Sequence, residues 1–264
     1  MKDSDPGAGA DTSAFDPLHR AATTSASYRE AVRISSPDLP GWLVPASVIT
    51  LDDLKRVKRG LALEPGEVFL DLGCGAGGPA IWVVEQSGTS CIGVDQSLVA
   101  IRAATALART RGLSSNARFV CSDIRATCLP GASVDGVMSI DSFMFVDPWK
   151  AGAEMARLLR PGRTTIIRVV ESLIEPFTST LVRSYGPIFQ ANGLTVTRYE
   201  EVLDYNERST RFFRAIAERA EAMRIEVGAD AAVLIDEARE SVKKAAVAPR
   251  VRIVYIEATR ILCT

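Results

Sequence analysis

One histidine, a glycine-rich loop and four aspartates at expected strand ends are the residues of this chain whose types and spacing can do chemistry. The loop is Gly73-Cys74-Gly75-Ala76-Gly77-Gly78, within "DLGCGAGGPA", a formal match to G-x-G-x-x-G. Glycines let the chain turn sharply from strand to helix and let a ligand approach the backbone. The following helix offers free N–H groups and a positive dipole end. Asp95 lies 22 residues after Gly73, at the end of the next strand, placed to accept from ribose hydroxyls. Loop and acid together serve NAD or any other adenosine-containing ligand equally well. A ligand-free turn is the plain alternative, disfavoured by so many glycines directly after a strand.

Two further acids narrow the choice. Asp71 stands two residues before Gly73. A carboxylate there is unfavourable beside a pyrophosphate and suits a ligand with an amino group. The third strand ends in "CSDI", where Asp123 can accept from an adenine amino group and the Ile124 N–H can donate to a ring nitrogen. Candidates for a base are few. His19 is the sole histidine, set against the plain reading of a surface residue beside Arg20. Tyr28 can close over a ligand or simply pack. Asp141 follows the fourth strand and can face a ligand or cap a helix.

The elements that must position these groups alternate in a regular rhythm. "EVFLDLGCG", "SCIGVDQS", "ARFVCSDI", "ASVDGVMSIDS" and "RTTIIRVVES" read as strands. The helical stretches between them include "PAIWVVEQSG", "SLVAIRAATALARTRGL" closed by Gly112, and "DPWKAGAEMARLLRPG" stopped by Pro161-Gly162. This predicts an α/β, doubly wound, Rossmann-like and mostly parallel sheet. Upstream, "LHRAATTSASYREAV" holds one or two helical turns and "TLDDLKRVKRGLAL" a helix capped by Thr50. Downstream, "LVRSYGPIFQANGL" reads as a helix ending at Gly193 and "TVTRYEEV" as a strand. Two helices split near Gly228 then interrupt the rhythm before a closing strand, "RVRIVYIEATRIL". The expected divisions are a disordered tail at 1–14, an N-terminal helical cap at 15–60, a core at 61–204, a helical lid at 205–248 and a final core strand at 249–264.

Composition adds bounds. The 264 residues carry 31 Lys and Arg against 32 Asp and Glu, a formal net charge of −1. Nothing there points to nucleic acid or an anionic membrane. No apolar run approaches the roughly 18 residues that cross a bilayer, and the N-terminus lacks a signal-peptide stretch. The five cysteines (Cys74, Cys91, Cys121, Cys128 and Cys263) form no metal-ligand spacing and read as small hydrophobes in a reducing cytoplasm. No metal site is expected.

With "VFLDLGCGAGG", "VDQS", "CSDI" and "LLRPG" in order, the chain resembles class I S-adenosylmethionine-dependent methyltransferases. "DLGCGAGGPA" in particular is similar to sterol methyltransferases and small-molecule methyltransferases of the ubiquinone-biosynthesis type. The resemblance covers about residues 64–170 and implies a seven-stranded sheet with the last strand antiparallel. It implies S-adenosylmethionine as cofactor. Asp71, Gly73, Cys74 and Gly75 would hold its methionine part, Asp95 the ribose, and Gln96, Asp123 and Ile124 the adenine. The Ser139 carbonyl would face its amino group. His19, Tyr28 and Asp141 are the catalytic candidates. Phe145 stands where relatives often carry a histidine, and it cannot accept a proton. Phe143, Phe145, Trp149, Tyr185 and Phe189 are the expected acceptor pocket, with Trp42, Phe177, Phe212 and Phe213 as further rim aromatics. Phe212 and Phe213 are not expected to share one helix stripe.

The expected partner is a small aromatic or hydrophobic methyl acceptor of specialised metabolism. The acceptor atom (C, N or O) and the oligomeric state are left open. A nicotinamide oxidoreductase and an inactive methyltransferase-fold protein are the alternatives. Asp95→Ala is predicted to weaken cofactor binding by removing a charge-assisted hydrogen bond to ribose; unchanged affinity in calorimetry would mean the site is misplaced.

Overall fold

The computed structural model describes residues 15–174, 180–244 and 251–261. The tail expected at 1–14, Phe177 and Cys263 lie outside the described residues. A seven-stranded sheet runs in the order β3-β2-β1-β4-β5-β7-β6. Its strands are β1 Val68–Leu72, β2 Ser90–Asp95, β3 Ala117–Cys121, β4 Val134–Ile140, β5 Leu159–Ser172, β6 Leu194–Glu201 and β7 Val251–Arg260. Strands β1 to β5 pair in parallel, and β7 runs antiparallel between β5 and β6. The order reverses between β1 and β4, so the crevice at a doubly wound sheet's switch point opens there.

Both sheet faces are covered, and alternate strand residues serve different cores. Leu70, Leu72, Val137, Ile167 and Val169 pack with α6 (Pro148–Leu158) and α7 (Gly186–Ala191). Phe69, Met138, Ile166 and Tyr255 face α3 (Leu51–Leu61) and α4 (Gly78–Ser87). Helix α5 (Leu98–Thr110) packs beside α4. Thr50 caps α3 in a full capping box with Asp53.

Several expected boundaries move. The N-terminal stretch forms two complete helices, α1 (Asp16–Thr24) and α2 (Ala26–Ser35). Ser25 caps α2 by accepting from the Tyr28 N–H. Helix α6 ends at Leu158, before Pro161-Gly162, because Leu159 already pairs with Val134 of β4. Arg163 holds that extended entry by donating to the Asp135 carbonyl at 2.9 Å. Helix α7 is only six residues long. The Tyr185 N–H donates to Glu171, and Pro187 sits in the first turn, so both favour a start at Gly186. The lid stretch holds three helices rather than two: α8 (Tyr205–Glu218), α9 (Ala220–Val227) and α10 (Ala231–Lys244). The break at Arg219 turns Ala220 and Met223 into the same apolar cluster as Ala21, Tyr28 and Phe212.

That cluster joins α1, α2, α8, α9 and α10 into one helical layer. Glu226 of α9 accepts from the Ser27 N–H and hydroxyl of α2, each at 3.0 Å, a carboxylate at a helix N-terminus. Arg20 of α1 pairs with Asp230. No described helix is long and apolar enough to cross a membrane.

The layer is fastened to the sheet by a buried charge network. Arg168 lies mid-β5 with no exposed surface. Its Nη2 donates to the Val48 carbonyl at 2.8 Å, and its guanidinium lies 5.2 Å from the Tyr205 ring centroid. Its Nε is 3.3 Å from Asp141 and its Nη1 3.7 Å from Asp53. Arg208 of α8 donates to the same Asp53 oxygen at 2.6 Å. Removing one partner leaves buried charge uncompensated. Arg168→Leu is therefore expected to cost about 3–5 kcal/mol in urea unfolding. A loss below about 1 kcal/mol, the scale of an exposed pair, would show that the network contributes little.

Candidate active site

The loop after β1 is pinned from two sides. The Gly73 and Cys74 N–H groups both donate to the Val94 carbonyl of β2, at 2.8 and 3.0 Å. The Ser142 hydroxyl donates to the Gly73 carbonyl at 3.2 Å from beyond β4. Gly73 has φ 81°, and a Cβ there would lie 2.1 Å from the Ser142 oxygen, so the position requires glycine. Asp95 closes the loop. Its Oδ2 accepts from the Gly75 N–H at 2.9 Å and its Oδ1 from the Ser97 N–H at 2.8 Å.

Above the loop lies a cavity of about 390 Å3. Asp71, Gly73, Cys74, Gly75, Asp95, Gln96 and Ile124 line its sheet side. Asp71 is buried, and among the described residues no donor or cation reaches its carboxylate. Burial, and then the Asp95 charge, push its carboxyl well above the ordinary range. Such a carboxylate is complementary to an ammonium group and hostile to a pyrophosphate.

His19, Tyr28 and Asp141 all reach this cavity. His19 is only 5 % exposed, which overturns its plain reading as a surface residue. The Ser97 hydroxyl donates to Asp16 at 2.7 Å, docking α1 on the N-terminus of α5 and bringing the imidazole over Gly75. Its Nδ1 is buried without a hydrogen-bond partner. Burial lowers its pKa, and Asp95 and Asp16 only partly oppose this, so the ring is neutral at pH 7. Tyr28 donates to the Pro45 carbonyl at 3.1 Å, and burial keeps its hydroxyl protonated, so it borders the ligand without serving as base. Asp141 takes a left-handed φ of 56°, uncommon for a residue with a Cβ. Burial raises its carboxyl and Arg168 draws it back only in part.

Other expected site residues sit elsewhere. Ser139 is fully buried behind the cavity, its hydroxyl donating to the Leu72 carbonyl, and Ile140, Asp141 and Ser142 form the β4 rim instead. Asp123 lies outside the lining because Arg125 grips its carboxylate at 2.6 and 2.9 Å. Burial alone would raise that carboxyl, but Arg125 holds it below the ordinary range. Phe143, Tyr185 and Phe189 are buried in the core under α6 and α7, and Trp149 is 51 % exposed on α6. Of the expected pocket aromatics only Phe145 lines the cavity, edge-on to Phe15 at 4.8 Å. Phe212 and Phe213 both border it, with rings 5.3 Å apart, because the cavity wraps around α8. Sequence reasoning missed Ser142, Tyr205 and Glu237. A charged residue inside the apolar strand "IIRVV" was the available signal for the Arg168 network; nothing local marked Glu237.

Residues 70–167 match the family model described as a methyltransferase domain. Over those residues the chain is similar to class I S-adenosylmethionine-dependent methyltransferases. It is 31 % identical over 128 residues to 24-methylenesterol C-methyltransferase 2 of Oryza sativa subsp. japonica, covering 48 % of this chain and 35 % of that one. It is 27 % identical over 161 residues to the methyltransferase GfsG of Streptomyces halstedii, covering 58 % of each. The chain thus spans less than two thirds of the length of these curated relatives. The solved structure of the [4+2]-cyclase SpnF superposes with a TM-score of 0.71 at 22 % identity over 80 % of both chains, a likeness of fold.

The Asp71 environment sets a pH dependence for the methyltransferase domain. Below its raised pKa the carboxyl is neutral and cannot pair with an ammonium; above it the pair forms. Affinity for S-adenosylhomocysteine should therefore climb with pH beyond the ordinary carboxylate range and then level off. Asp71→Asn should flatten that slope and weaken binding by about tenfold or more at pH 7, the scale of a charged hydrogen bond. A slope that persists in the variant would assign the titration to another group.

Proposed function

We propose that this chain moves the methyl group of S-adenosylmethionine to a small, mostly apolar acceptor. The observation that carries the reading is the buried, partnerless Asp71 beside a glycine loop shaped by Asp95, under a cavity roofed by the apolar faces of amphipathic helices. Asp71 would hold the cofactor's amino group, the Gly73–Gly75 backbone its methionine part, and Asp95 its ribose. Gln96 and Ile124 would flank the adenine. When bound, the cofactor supplies an electrophilic methyl group for in-line displacement.

The chain's own residues would supply position and dryness. Orientation of two reactants can be worth about 7–11 kcal/mol. The α1–α2 and α8–α10 layer excludes water from the acceptor side. His19, neutral and facing the cavity, would take a proton on its imidazole where the acceptor's O–H or N–H must lose one. Asp141 is committed to Arg168 and would position the β4 rim rather than titrate. The free cysteines among the described residues (Cys74 and Cys91 buried, Cys121 and Cys128 exposed) suit a reducing cytoplasm. A mostly apolar cavity favours a specialised metabolite over a protein or nucleic-acid acceptor.

Incubation with methyl-labelled cofactor and a panel of apolar alcohols, phenols and amines tests the reading. Labelling of any acceptor supports it. Binding of S-adenosylhomocysteine without labelling would favour a methyltransferase fold turned to another reaction, and NADH binding alone would favour an oxidoreductase. With a hydroxyl acceptor, His19→Ala should lower kcat by about 10²-fold or more, the scale of general-base catalysis, with S-adenosylhomocysteine affinity nearly unchanged. Wild-type activity should decline only below the ordinary histidine value of 6.5, since burial lowers the His19 pKa. Full activity in the variant would return His19 to a packing role.

A further inference from the structure

The cavity lining is acidic without a compensating cation. Asp71, Asp95, Asp141 and Glu237 contribute carboxyls, and among the described residues no lysine or arginine side chain lines it. Three of the four are accounted for. Asp71 and Asp95 belong to the cofactor side, and Asp141 lies beside Arg168. Glu237 is left over, on the lid wall formed by α10.

Its isolation follows from the register of α10. Asp236 pairs with Arg239, and Glu240 pairs with Lys243, both at i,i+3 on the outer face. Positions three and four beyond Glu237 are Glu240 and Ser241, so no cation stands on its own stripe. One turn back are Val233 and Leu234, which line the cavity with it. The side chains facing it from other helices are no help. Tyr28 of α2 and Tyr205 of α8 both feel its charge, but the Tyr28 hydroxyl donates to Pro45 and the Tyr205 hydroxyl is engaged with Ser209. Among the described residues Glu237 has neither an ion-pair partner nor a donor. Glu237 keeps an exposed face at the lid end of the cavity, and the part of it that is covered pushes its carboxyl upward.

We propose that Glu237 is a specificity residue, and that the acceptor is an apolar molecule bearing a protonated amine that pairs with this carboxylate at the lid end of the cavity. This rests on the methyl-transfer reading. Among the described residues an anionic acceptor would meet four carboxyls and no cation. A neutral acceptor would leave Glu237 uncompensated once water is excluded. The amine serves as a handle on the wall opposite the glycine loop.

The test is calorimetry at saturating S-adenosylhomocysteine with three probes of equal chain length: octylamine, 1-octanol and octanoate. Octylamine should bind about tenfold tighter than 1-octanol, the scale of one charge-assisted hydrogen bond, and octanoate weakest. Glu237→Gln should bring octylamine down to the 1-octanol level without altering S-adenosylhomocysteine affinity. Glu237→Lys should turn the preference towards octanoate. Octylamine binding no tighter than 1-octanol, or a preference that survives Glu237→Gln, overturns the proposal. The wild-type ranking decides even if a variant fails to fold. Failure of S-adenosylhomocysteine itself to bind would sink the methyl-transfer reading instead.

Discussion

A guanidinium with no exposed surface in the middle of a sheet must be met by anions, and the arrangement around Arg168 is how this chain meets it. Burial works against its charge, yet Asp141 and Asp53 hold it protonated, with the Tyr205 ring over the guanidinium. Those partners come from different parts of the chain. Asp53 is the third residue of α3, Asp141 follows β4 directly, and Tyr205 opens α8. Arg208 then shares Asp53, so the lid reaches the sheet through the same carboxylate. One buried cation thus fixes where the lid sits and how the β4 rim of the cavity turns. The Asp141 N–H donates to the Arg168 carbonyl at 2.9 Å while its carboxylate faces the same residue's side chain. Its left-handed backbone is the conformation in which both contacts hold.

The rim so fixed shapes the glycine loop. Ser142 follows Asp141 and occupies the space that a Gly73 side chain would need. The loop in turn leaves Asp71 buried with its carboxylate free. The cavity's sheet side is therefore built from two opposite treatments of buried acid. Asp53 and Asp141 are set against arginine and serve structure. Asp71 is denied a partner by the protein and so is available to a ligand. The same sequence feature, an aspartate at a strand end, means different things at β1 and β4, and only the position of Arg168 distinguishes them.

That contrast marks what the sequence could show. The sheet, the loop and Asp95 were legible because they rest on local period and spacing: strand alternation, glycine at forced turns, an acid one strand on. The aromatic pocket was not. Tyr185 and Phe189 sit on a short helix that packs on the sheet face away from the ligand, and an apolar run carries no mark of which face it will meet. Trp149 follows an Asp147 cap that turns it outward. His19 looked like a surface residue because its burial depends on Asp16 meeting Ser97, a contact 81 residues apart. The lid's extra break at Arg219 is likewise set by tertiary packing, since its segment reads as one continuous helix. Arg168 was visible in principle, as a lone charge inside "IIRVV".

Charge then divides the cavity's labour. Its sheet wall presents Asp71 and Asp95, and its lid wall presents Glu237 among aliphatic and aromatic neighbours. The two walls come from different cores, the sheet side held by β1, β2 and β4 and the lid side by the α1–α2 and α8–α10 cluster. Substitutions on α10 can therefore alter what the cavity admits without disturbing the glycine loop, because the elements share no packing layer. The neutral histidine lies where α1 crosses between them, fastened to α5 by Asp16 and to the lid by Arg20. A side chain held at that junction is placed by both walls at once, so its position over the glycine loop depends on the cap being seated. The buried network on Arg168 is what seats it.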